Sequence, residues 1–164
     1  MLKEKKFDLF DGLLETTPQL LNSLRNPDFF NNYKSSLLIQ AAEDGNRDVF
    51  RKLLHYPQDF GIVNRFGNNV FHRVARCQND GWWFDMLKTT IHNANELKKL
   101  INKKSDFDMT PLHCAAWCNK HQSIKWLLEN QADVNVTNKG GKRADEYDQG
   151  DAESKRMIRE YRNK

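Results

Sequence analysis

A short motif recurs along the chain, and this recurrence constrains the fold more than any other feature of the sequence. Its clearest copy reads TPLHCAA at residues 110–116, and a second reads NVFHRVA at residues 69–75. A weaker copy, SLLIQAA, occupies residues 36–42. Successive copies begin 33 and then 41 residues apart. A period in this range is typical of solenoids, in which short units stack on their neighbours.

The third unit closes with WLLENQADVN at residues 126–135, and together these motifs resemble the ankyrin repeat, with its period of 33 and its T-P-L-H-x-A signature. The resemblance implies an all-α ankyrin-repeat solenoid of about four repeats, with a helical N-terminal cap and a truncated C-terminal capping repeat. As one domain over residues 1–164, it divides into a cap (1–34), repeat one (35–68), repeat two with an insertion (69–109), repeat three (110–142) and a capping repeat (143–164).

Four positions depart from the family pattern. Asn119 and Gln131 stand where the family has repeat glycines, Asp108 replaces the turn glycine and Val70 replaces the proline. Glycine adopts left-handed backbone conformations without steric cost, whereas other residues rarely do. The departures therefore leave the local turn geometry open, but they do not affect the prediction of the fold.

Local signals in the third repeat predict a pair of helices. Thr110 is a favourable N-cap, and Pro111 follows at the first helical position, where its missing N–H costs nothing. Ile124, Leu127 and Leu128 form one apolar stripe at helical spacing on the second helix. A helix pair of this kind cannot bury both of its faces alone, so stacking on neighbouring repeats has to complete the core.

Repeat two carries eight extra residues, somewhere within residues 78–104. The bulky run WWFDML at residues 82–87 predicts a second helix, and Leu97, Leu100 and Ile101 predict a further apolar turn. Residues 152–162 predict a last helix, with Met157, Ile158 and Tyr161 directed inward. The basic residues of that helix are expected to face solvent: Lys155, Arg156, Arg159 and Arg162.

Composition agrees with a folded but thin molecule. Apolar residues make up 38% of the chain, below the usual value of about 45–50%. Ten Phe, four Trp and four Tyr argue against disorder, because disordered segments contain few aromatic residues. A thin solenoid needs little interior, and Phe50, Trp82, Trp83 and Trp126 are assigned mainly to packing.

The sequence indicates a location in a reducing compartment. It has no apolar run of about 18 residues and no apolar stretch after its charged N-terminus, so neither a membrane span nor a secretory signal is expected. Three cysteines, at no disulfide-framework spacing, indicate free thiols. The expected location is the cytoplasm and also the nucleus, within a host cell if the protein is viral or an effector.

No motif for catalysis or cofactor binding is present, so no enzyme activity, cofactor or catalytic residue is expected. A zinc site at His113, Cys114, Cys118 and His121 is not expected either, because His113 and Cys114 are adjacent and point to different helix faces. The resemblance implies that His113 and His72 make structural hydrogen bonds. The net charge of +4 is too small to indicate nucleic-acid binding.

In ankyrin proteins the turn tips and the outward positions of the first helices form a concave groove that binds partner proteins. By resemblance, the partner-binding positions of this chain are Tyr33, Arg65, Phe66, Asn68, Arg76, Cys77, Asp106, Phe107, Met109, Trp117, Cys118, Lys139 and Lys142. Turn tips are usually polar, yet Phe66, Phe107, Met109 and Trp117 are large and apolar, as interface cores are. The alternative is that Phe66 or Phe107 folds back over the insertion.

The predicted function is therefore that of a non-enzymatic protein–protein interaction module, monomeric alone, that acts as an inhibitor or adaptor. A second resemblance is narrower: GNNVFH at residues 67–72 is similar to the vankyrins, small viral ankyrin proteins that look like inhibitors of NF-kappa-B. It implies a Rel/NF-kappa-B-type partner and suppression of host immune signalling. A bacterial effector acting in a eukaryotic host cell is the other alternative.

One modification site is also implied by resemblance. Leu127 and the sequence DVN at residues 133–135 are similar to the pattern that asparaginyl hydroxylase recognises in ankyrin repeats. We therefore expect Asn135 as a possible hydroxylation site.

Overall fold

A computed structural model describes residues 37–55, 59–78 and 80–164, and within these ranges the regular structure is helical, with no β-strand. The α-helices are α1 (Leu37–Glu43), α2 (Arg47–Leu54), α3 (Val70–Cys77), α4 (Trp82–Thr90), α5 (Ala94–Ile101), α6 (Pro111–Trp117), α7 (His121–Glu129) and α8 (Ala152–Arg162). A 3-10 helix covers Ala144–Glu146. The expected helical cap at 1–34 and the candidate Tyr33 lie outside the described residues.

The helices stack as the repeat predicts. In the first layer, α3 packs against both α1 and α6. In the second layer, α2 packs against α4, and α8 packs against α7 and the 3-10 helix. Each first helix also contacts the second helix of its own repeat, as α1 does with α2 and α6 with α7. This arrangement is a helical repeat solenoid, and it confirms the predicted all-α fold.

Aromatic rings fill the interface between the second helices. The Phe50 and Trp83 rings meet edge to face with centroids 5.0 Å apart, and the Phe84 and Trp126 rings stack at 4.7 Å. The indole N–H of Trp126 donates to the Asp85 carboxylate at 2.8 Å. Phe50, Trp83, Phe84 and Trp126 are all buried, which confirms the assignment of Phe50, Trp83 and Trp126 to packing. Trp82 is only half-buried, although its ring meets that of Trp83 edge to face at 5.0 Å.

The insertion in repeat two forms an additional helix. Helix α5 begins after Asn93, whose side-chain oxygen accepts from the backbone N–H groups of Asn95 and Glu96. Its apolar face, formed by Leu97, Leu100 and Ile101, is buried, as the sequence predicts. The extra residues therefore add one helix after α4, and the stacking of α3 on α6 is maintained.

Three non-glycine residues adopt the left-handed backbone conformation at the positions where the family has glycine. Their φ angles are +56° at Asp108, +54° at Asn119 and +69° at Gln131. The turn geometry is therefore retained without glycine. Asn119 gains a compensating contact, because its side-chain oxygen accepts the backbone N–H of Asp151 at 2.8 Å.

Replacing Gln131 by glycine is expected to stabilise the chain. A left-handed conformation costs about 1–2 kcal/mol for an ordinary L-residue, and glycine avoids this strain. Glycine also loses more conformational entropy on folding, which offsets about 0.5–1 kcal/mol of that benefit. We expect Gln131→Gly to raise the free energy of unfolding, measured in urea, by about 0.5–1 kcal/mol. Asn119→Gly is the matched control: it relieves the same strain but loses the bond to Asp151, so no gain is expected. Destabilisation by Gln131→Gly would contradict the argument.

The last helix is held by a buried carboxylate that the sequence did not indicate. Arg159 and Arg162 donate to Asp145 at 3.0 and 2.7 Å, and the Asp145 side chain is 2% exposed. Burial opposes ionisation of Asp145, but the hydrogen bonds from Arg162 and Arg159 outweigh it and hold its pKa below the usual range. Arg159 is exposed, as expected, whereas Arg162 is partly buried, and each also bonds across to this carboxylate.

The inward face of α8 is also narrower than predicted. Ile158 is fully buried, together with Ser154, whereas Met157 and Tyr161 are only partly buried. A helix that packs on one neighbour and a short 3-10 turn has less surface to cover than a helix between two repeats, so its apolar stripe is correspondingly narrow.

Candidate functional site

Three turns precede the N-termini of helix α3, helix α6 and the 3-10 helix, and they share one hydrogen-bond pattern. The first residue of each turn donates its N–H to the carbonyl four residues later, within 2.9–3.0 Å, in the pairs Asn64–Asn68, Ser105–Met109 and Asn138–Lys142. The side-chain oxygens of Asn64 and Asn138 also accept backbone N–H groups inside their own turns. These Asx turns shape the loop from within, so the tip side chains are free of that task.

Neighbouring turns are joined through their backbones. The N–H of Asp106 donates to the carbonyl of Phe66 at 3.0 Å, and the N–H of Lys139 donates to the carbonyl of Phe107 at 3.1 Å. We call these two bonds the tip ladder. Because the ladder joins turn to turn, it holds the side chains of Phe66 and Phe107 at a fixed separation along the same edge of the solenoid.

Two histidines tie their helices, α3 and α6, to the turn of the following repeat. Nε2 of His72 lies 3.0 Å from the carbonyl of Met109, and Nε2 of His113 lies 3.3 Å from the carbonyl of Lys142. A carbonyl only accepts, so Nε2 carries the proton and Nδ1 is left to accept the N–H of Asn69 or Thr110. This confirms the structural role expected for both histidines.

Burial keeps both histidines neutral near pH 7. Burial lowers the pKa of His72 to about 4, partly offset by its bond to the Met109 carbonyl. Burial also lowers the pKa of His113, against the opposing effect of the Lys142 carbonyl. Neither ring is therefore available as an acid or base at the surface. Both act as structural hydrogen-bonding groups.

The apolar positions expected on the groove are exposed. Phe66 is 39% exposed, Phe107 58% and Trp117 43%. Met109 is half-buried beside them. At these exposures neither phenylalanine is buried against the insertion, so the alternative in which they fold back over it is not what the structure shows. Large apolar side chains left in solvent on one edge are typical of interaction surfaces.

The charged candidates differ in their surroundings. The guanidinium of Arg65 lies over the Phe66 ring, 4.6 Å from its centroid. The ammonium of Lys142 pairs with Asp148 at 3.2 Å. Asp106 and Lys139 are exposed and take part in the tip ladder through their backbones. Asn68 is half-buried, and its N–H donates to the side chain of Asn64.

A cleft of about 250 Å³ opens next to the tips, on the first-helix layer. Its lining residues are Arg76, Met109, Cys114, Trp117 and Cys118. We call it the Arg76 cleft. The structure thus brings together candidates from repeats two and three, and the lining combines one cation with apolar and sulfur-bearing side chains.

A family model for ankyrin repeats, in three copies, matches residues 38–138, which is more than half of the chain. The chain belongs to the ankyrin-repeat family. It is also similar to an ankyrin repeat protein of fowlpox virus (strain NVSL), FPV230, with 28% identity over 148 aligned positions, covering 72% of this chain and 77% of the viral protein. Ankyrin repeats are non-enzymatic protein–protein interaction modules, so this membership implies protein partners.

Two residues beside the candidate groove, Tyr147 and Cys114, were not assigned to it from the sequence. Tyr147 is buried and meets Trp117 edge to face at 5.0 Å, which fixes the indole at the side of the Arg76 cleft. Cys114 lies inside the helix but reaches the cleft lining. The role of Tyr147 is not visible in the repeat pattern, because its contact with Trp117 joins residues 30 positions apart.

The described ranges hold no group of three or more His, Cys, Asp or Glu that could ligate a metal ion. No helix in those ranges is long and apolar enough to cross a membrane. Asn135 is exposed on the segment that leads into the turn at residues 138–142, and its N–H donates to Asp133 at 2.9 Å. Its hydroxylation remains a prediction.

The three cysteines are expected to differ in reactivity. All three are free thiols; Cys114 is buried, and Cys77 and Cys118 are partly buried. Burial raises the pKa of the Cys114 thiol to about 12, and the nearby Cys118 adds to the effect. Because the thiolate is the reactive form, we expect dithionitrobenzoate at pH 8 to react rapidly with two thiols of the folded chain and with the third only after denaturation.

Cys114→Ala is the control for this titration. It should leave the rapid phase unchanged and remove one thiol from the total measured in denaturant. Three rapidly reacting thiols in the folded wild type would contradict the burial of Cys114.

Proposed function

We propose that this ankyrin-repeat chain binds a partner protein through its concave edge and acts as an inhibitor or adaptor by occupying that partner. The observation that carries the proposal is the exposure of Phe66, Phe107 and Trp117 on adjacent repeats, at 39%, 58% and 43%. Interface cores are enriched in aromatic residues, Met and Arg, and the groove has all three classes.

The scaffold leaves the side chains of Phe66 and Phe107 available for binding, because its turn bonds do not use them. The Trp117 ring is exposed too, although it also packs edge to face against Tyr147. The turns are shaped by Asn64, Ser105 and Asn138 and joined by backbone bonds, so Phe66 and Phe107 contribute only main-chain atoms to the fold. Rigid presentation also favours binding, because little conformational entropy is lost when a preorganised surface meets its partner.

Truncation of the exposed aromatics is expected to weaken partner binding without unfolding the chain. Alanine at a hot-spot position costs about 2 kcal/mol or more of binding free energy. We therefore expect the triple variant Phe66→Ala, Phe107→Ala, Trp117→Ala to lose partners that wild type retains in quantitative affinity capture from the native cell.

Ile62→Ala provides the matched control for that experiment. Ile62 is 41% exposed, similar to Phe66, but it lies outside the three turns and the first helices. It should retain every partner, while circular dichroism and urea midpoints establish that both variants are folded. Equal partner recovery by wild type and the triple variant would exclude the groove as the binding site.

A viral suppressor of NF-kappa-B signalling is the second candidate. It is favoured by the similarity to the fowlpox virus protein and by the GNNVFH sequence at residues 67–72, which shapes the first turn and begins α3. Under this hypothesis the partner is a Rel-type transcription factor dimer, and the site of action is the cytoplasm or nucleus of a host cell.

Direct binding tests this candidate. Purified chain is mixed with a recombinant Rel-homology dimer, and co-elution from a size-exclusion column is measured for wild type and for the triple alanine variant. Co-elution of wild type alone supports the candidate. Separate elution of wild type and dimer at micromolar concentrations excludes it and leaves the general interaction function intact.

A further inference from the structure

The Arg76 cleft contains an unpaired cation. Arg76 is exposed on α3, and no carboxylate of the residues that the structure describes lies within ion-pairing distance of it. The other arginine on the same helix, Arg73, differs: its guanidinium pairs with Glu43 on α1. Among the described residues, Arg73 is therefore paired, whereas Arg76 lines the cleft with no hydrogen-bond acceptor for its guanidinium.

The rest of the lining is apolar or weakly polar. Trp117 presents an indole held in place by Tyr147, and Met109 presents a flexible thioether. Cys114 and Cys118 line the floor with free thiols. Met and Cys side chains are polarisable and adapt to the shape of a guest, and an aromatic wall supplies rigid contact area. This chemistry favours a large apolar side chain.

The size of the cleft limits the occupant. Its volume of about 250 Å³ is below the range of about 300–1,000 Å³ that is usual for small-molecule sites. A single side chain of a protein segment is therefore a better match than a free metabolite. The segment also needs a negative charge, because a carboxylate accepts two parallel hydrogen bonds from a guanidinium, and apolar neighbours strengthen that pairing by excluding water.

We propose that the Arg76 cleft binds an acidic and hydrophobic segment of the partner protein, with one large apolar side chain seated against Trp117 and Met109 and an adjacent Asp or Glu carboxylate paired with Arg76. The inference rests on the proposed binding function and specifies the partner's chemistry. Charge complementarity carries it: within the part of the chain that the structure describes, the lining offers one guanidinium without an ion-pair partner, no carboxylate, and the apolar side chains of Trp117 and Met109.

A random-peptide selection tests the chemistry without knowledge of the partner. Twelve-residue peptides displayed on phage are selected on the immobilised full chain, and the bound pool is sequenced. We expect enrichment of Asp or Glu within two positions of Leu, Ile, Phe or Trp. Enrichment of basic segments, or of apolar segments without acidic residues, would overturn the proposal.

Reversal of the charge at Arg76 then tests whether this residue binds the acidic group of the peptide. A fluorescein-labelled peptide from the selection is titrated by fluorescence anisotropy into wild type, Arg76→Glu and Arg76→Gln. We expect Arg76→Glu to weaken binding by about 30-fold or more and Arg76→Gln to weaken it less, because reversal adds repulsion to the lost pair. The peptide with Lys in place of its acidic residue should bind Arg76→Glu more tightly than it binds wild type.

Lys125→Glu is the control. Lys125 is an exposed cation on α7, away from the cleft, so its reversal changes the net charge equally without touching the site. It should leave the affinity within about twofold of wild type. An equal loss in Lys125→Glu and Arg76→Glu would show non-specific attraction and overturn the proposal.

A thiol readout locates the bound peptide independently. Cys118 lines the cleft and Cys77 does not, so the peptide should slow alkylation of Cys118 by iodoacetamide and leave Cys77 unchanged. No protection of Cys118 would overturn the assignment to this cleft. If selected peptides bind but are insensitive to Arg76 and sensitive to Phe66 and Phe107, the inference fails and the binding function stands. If the triple alanine variant also retains every partner, the proposed function fails as well.

Discussion

Phe84→Ala is expected to lower the free energy of unfolding by about 3–5 kcal/mol, the usual cost of truncating a fully buried aromatic side chain. Phe84 is 0% exposed and lies between the Trp126 ring, stacked at 4.7 Å, and the Phe71 ring at 6.3 Å. The substitution therefore removes contacts within repeat two and across its interface with repeat three, and it leaves a cavity where the two repeats meet.

The position of this contact predicts more than a loss of stability. Solenoid stability is approximately a sum of repeat and interface contributions, so weakening one interface uncouples the units on either side of it. We expect a broader urea transition in Phe84→Ala, monitored by circular dichroism, besides a lower midpoint. Phe107→Ala is the matched control, because the same residue type is 58% exposed there and should change stability by less than about 0.5 kcal/mol. A similarly small loss for Phe84→Ala would contradict the packing described.

Acidification is expected to destabilise the chain between pH 6.5 and about pH 4. Burial lowers the folded-state pKa of His72 to about 4, from an ordinary value of 6.5. Between these pH values His72 is protonated in the unfolded state and neutral in the folded state. The free energy of unfolding therefore rises with pH across this window and is lost as pH falls. The difference corresponds to roughly 3 kcal/mol for His72. His113, whose pKa is also lowered by burial, acts in the same direction.

Urea unfolding at pH 7.5, 6.5, 5.5 and 4.5 measures this dependence. We expect His72→Gln to be less stable than wild type at pH 7.5 and to show a shallower decline with acidification. His92→Gln is the control, because His92 is exposed and should leave the slope unchanged. The series ends at pH 4.5, because Asp145, whose pKa is lowered in the folded state, adds its own loss of stability mainly at lower pH. Equal slopes in His72→Gln and wild type would refute the assignment.

Local features of the fold could be predicted from the sequence because their signals lie within a few residues of each other. Thr110 and Pro111 begin α6 as an N-cap followed by proline, and His113 completes the capping box three residues after Thr110. The additional apolar turn of the insertion could also be predicted, because Leu97, Leu100 and Ile101 recur at helical spacing. The place of Phe66, Phe107 and Trp117 in the repeat suggested their exposure, but the alternative that a phenylalanine folds back over the insertion needed the structure to decide.

Ion pairs between side chains on different elements could not be predicted. Arg159 and Arg162 look like a solvated face on their own helix, yet both bond to Asp145, which is 14 and 17 residues away. Likewise, the sequence places both Arg73 and Arg76 on α3 but does not show that only Arg73 meets a carboxylate. Ion pairs carry no periodicity, so the choice between paired and unpaired cations needs the structure.

The tip ladder has a consequence for how such a chain diverges. Successive turns are joined through the backbone atoms of Phe66, Asp106, Phe107 and Lys139, and the side chains at these positions are not needed for those bonds. If this edge binds a partner as proposed, substitutions there alter what it recognises while the loops keep their shape and spacing. Selection by a changing partner would then act on residues whose replacement does not disturb the fold. New binding specificities could arise by single substitutions while the backbone of the turns stays the same.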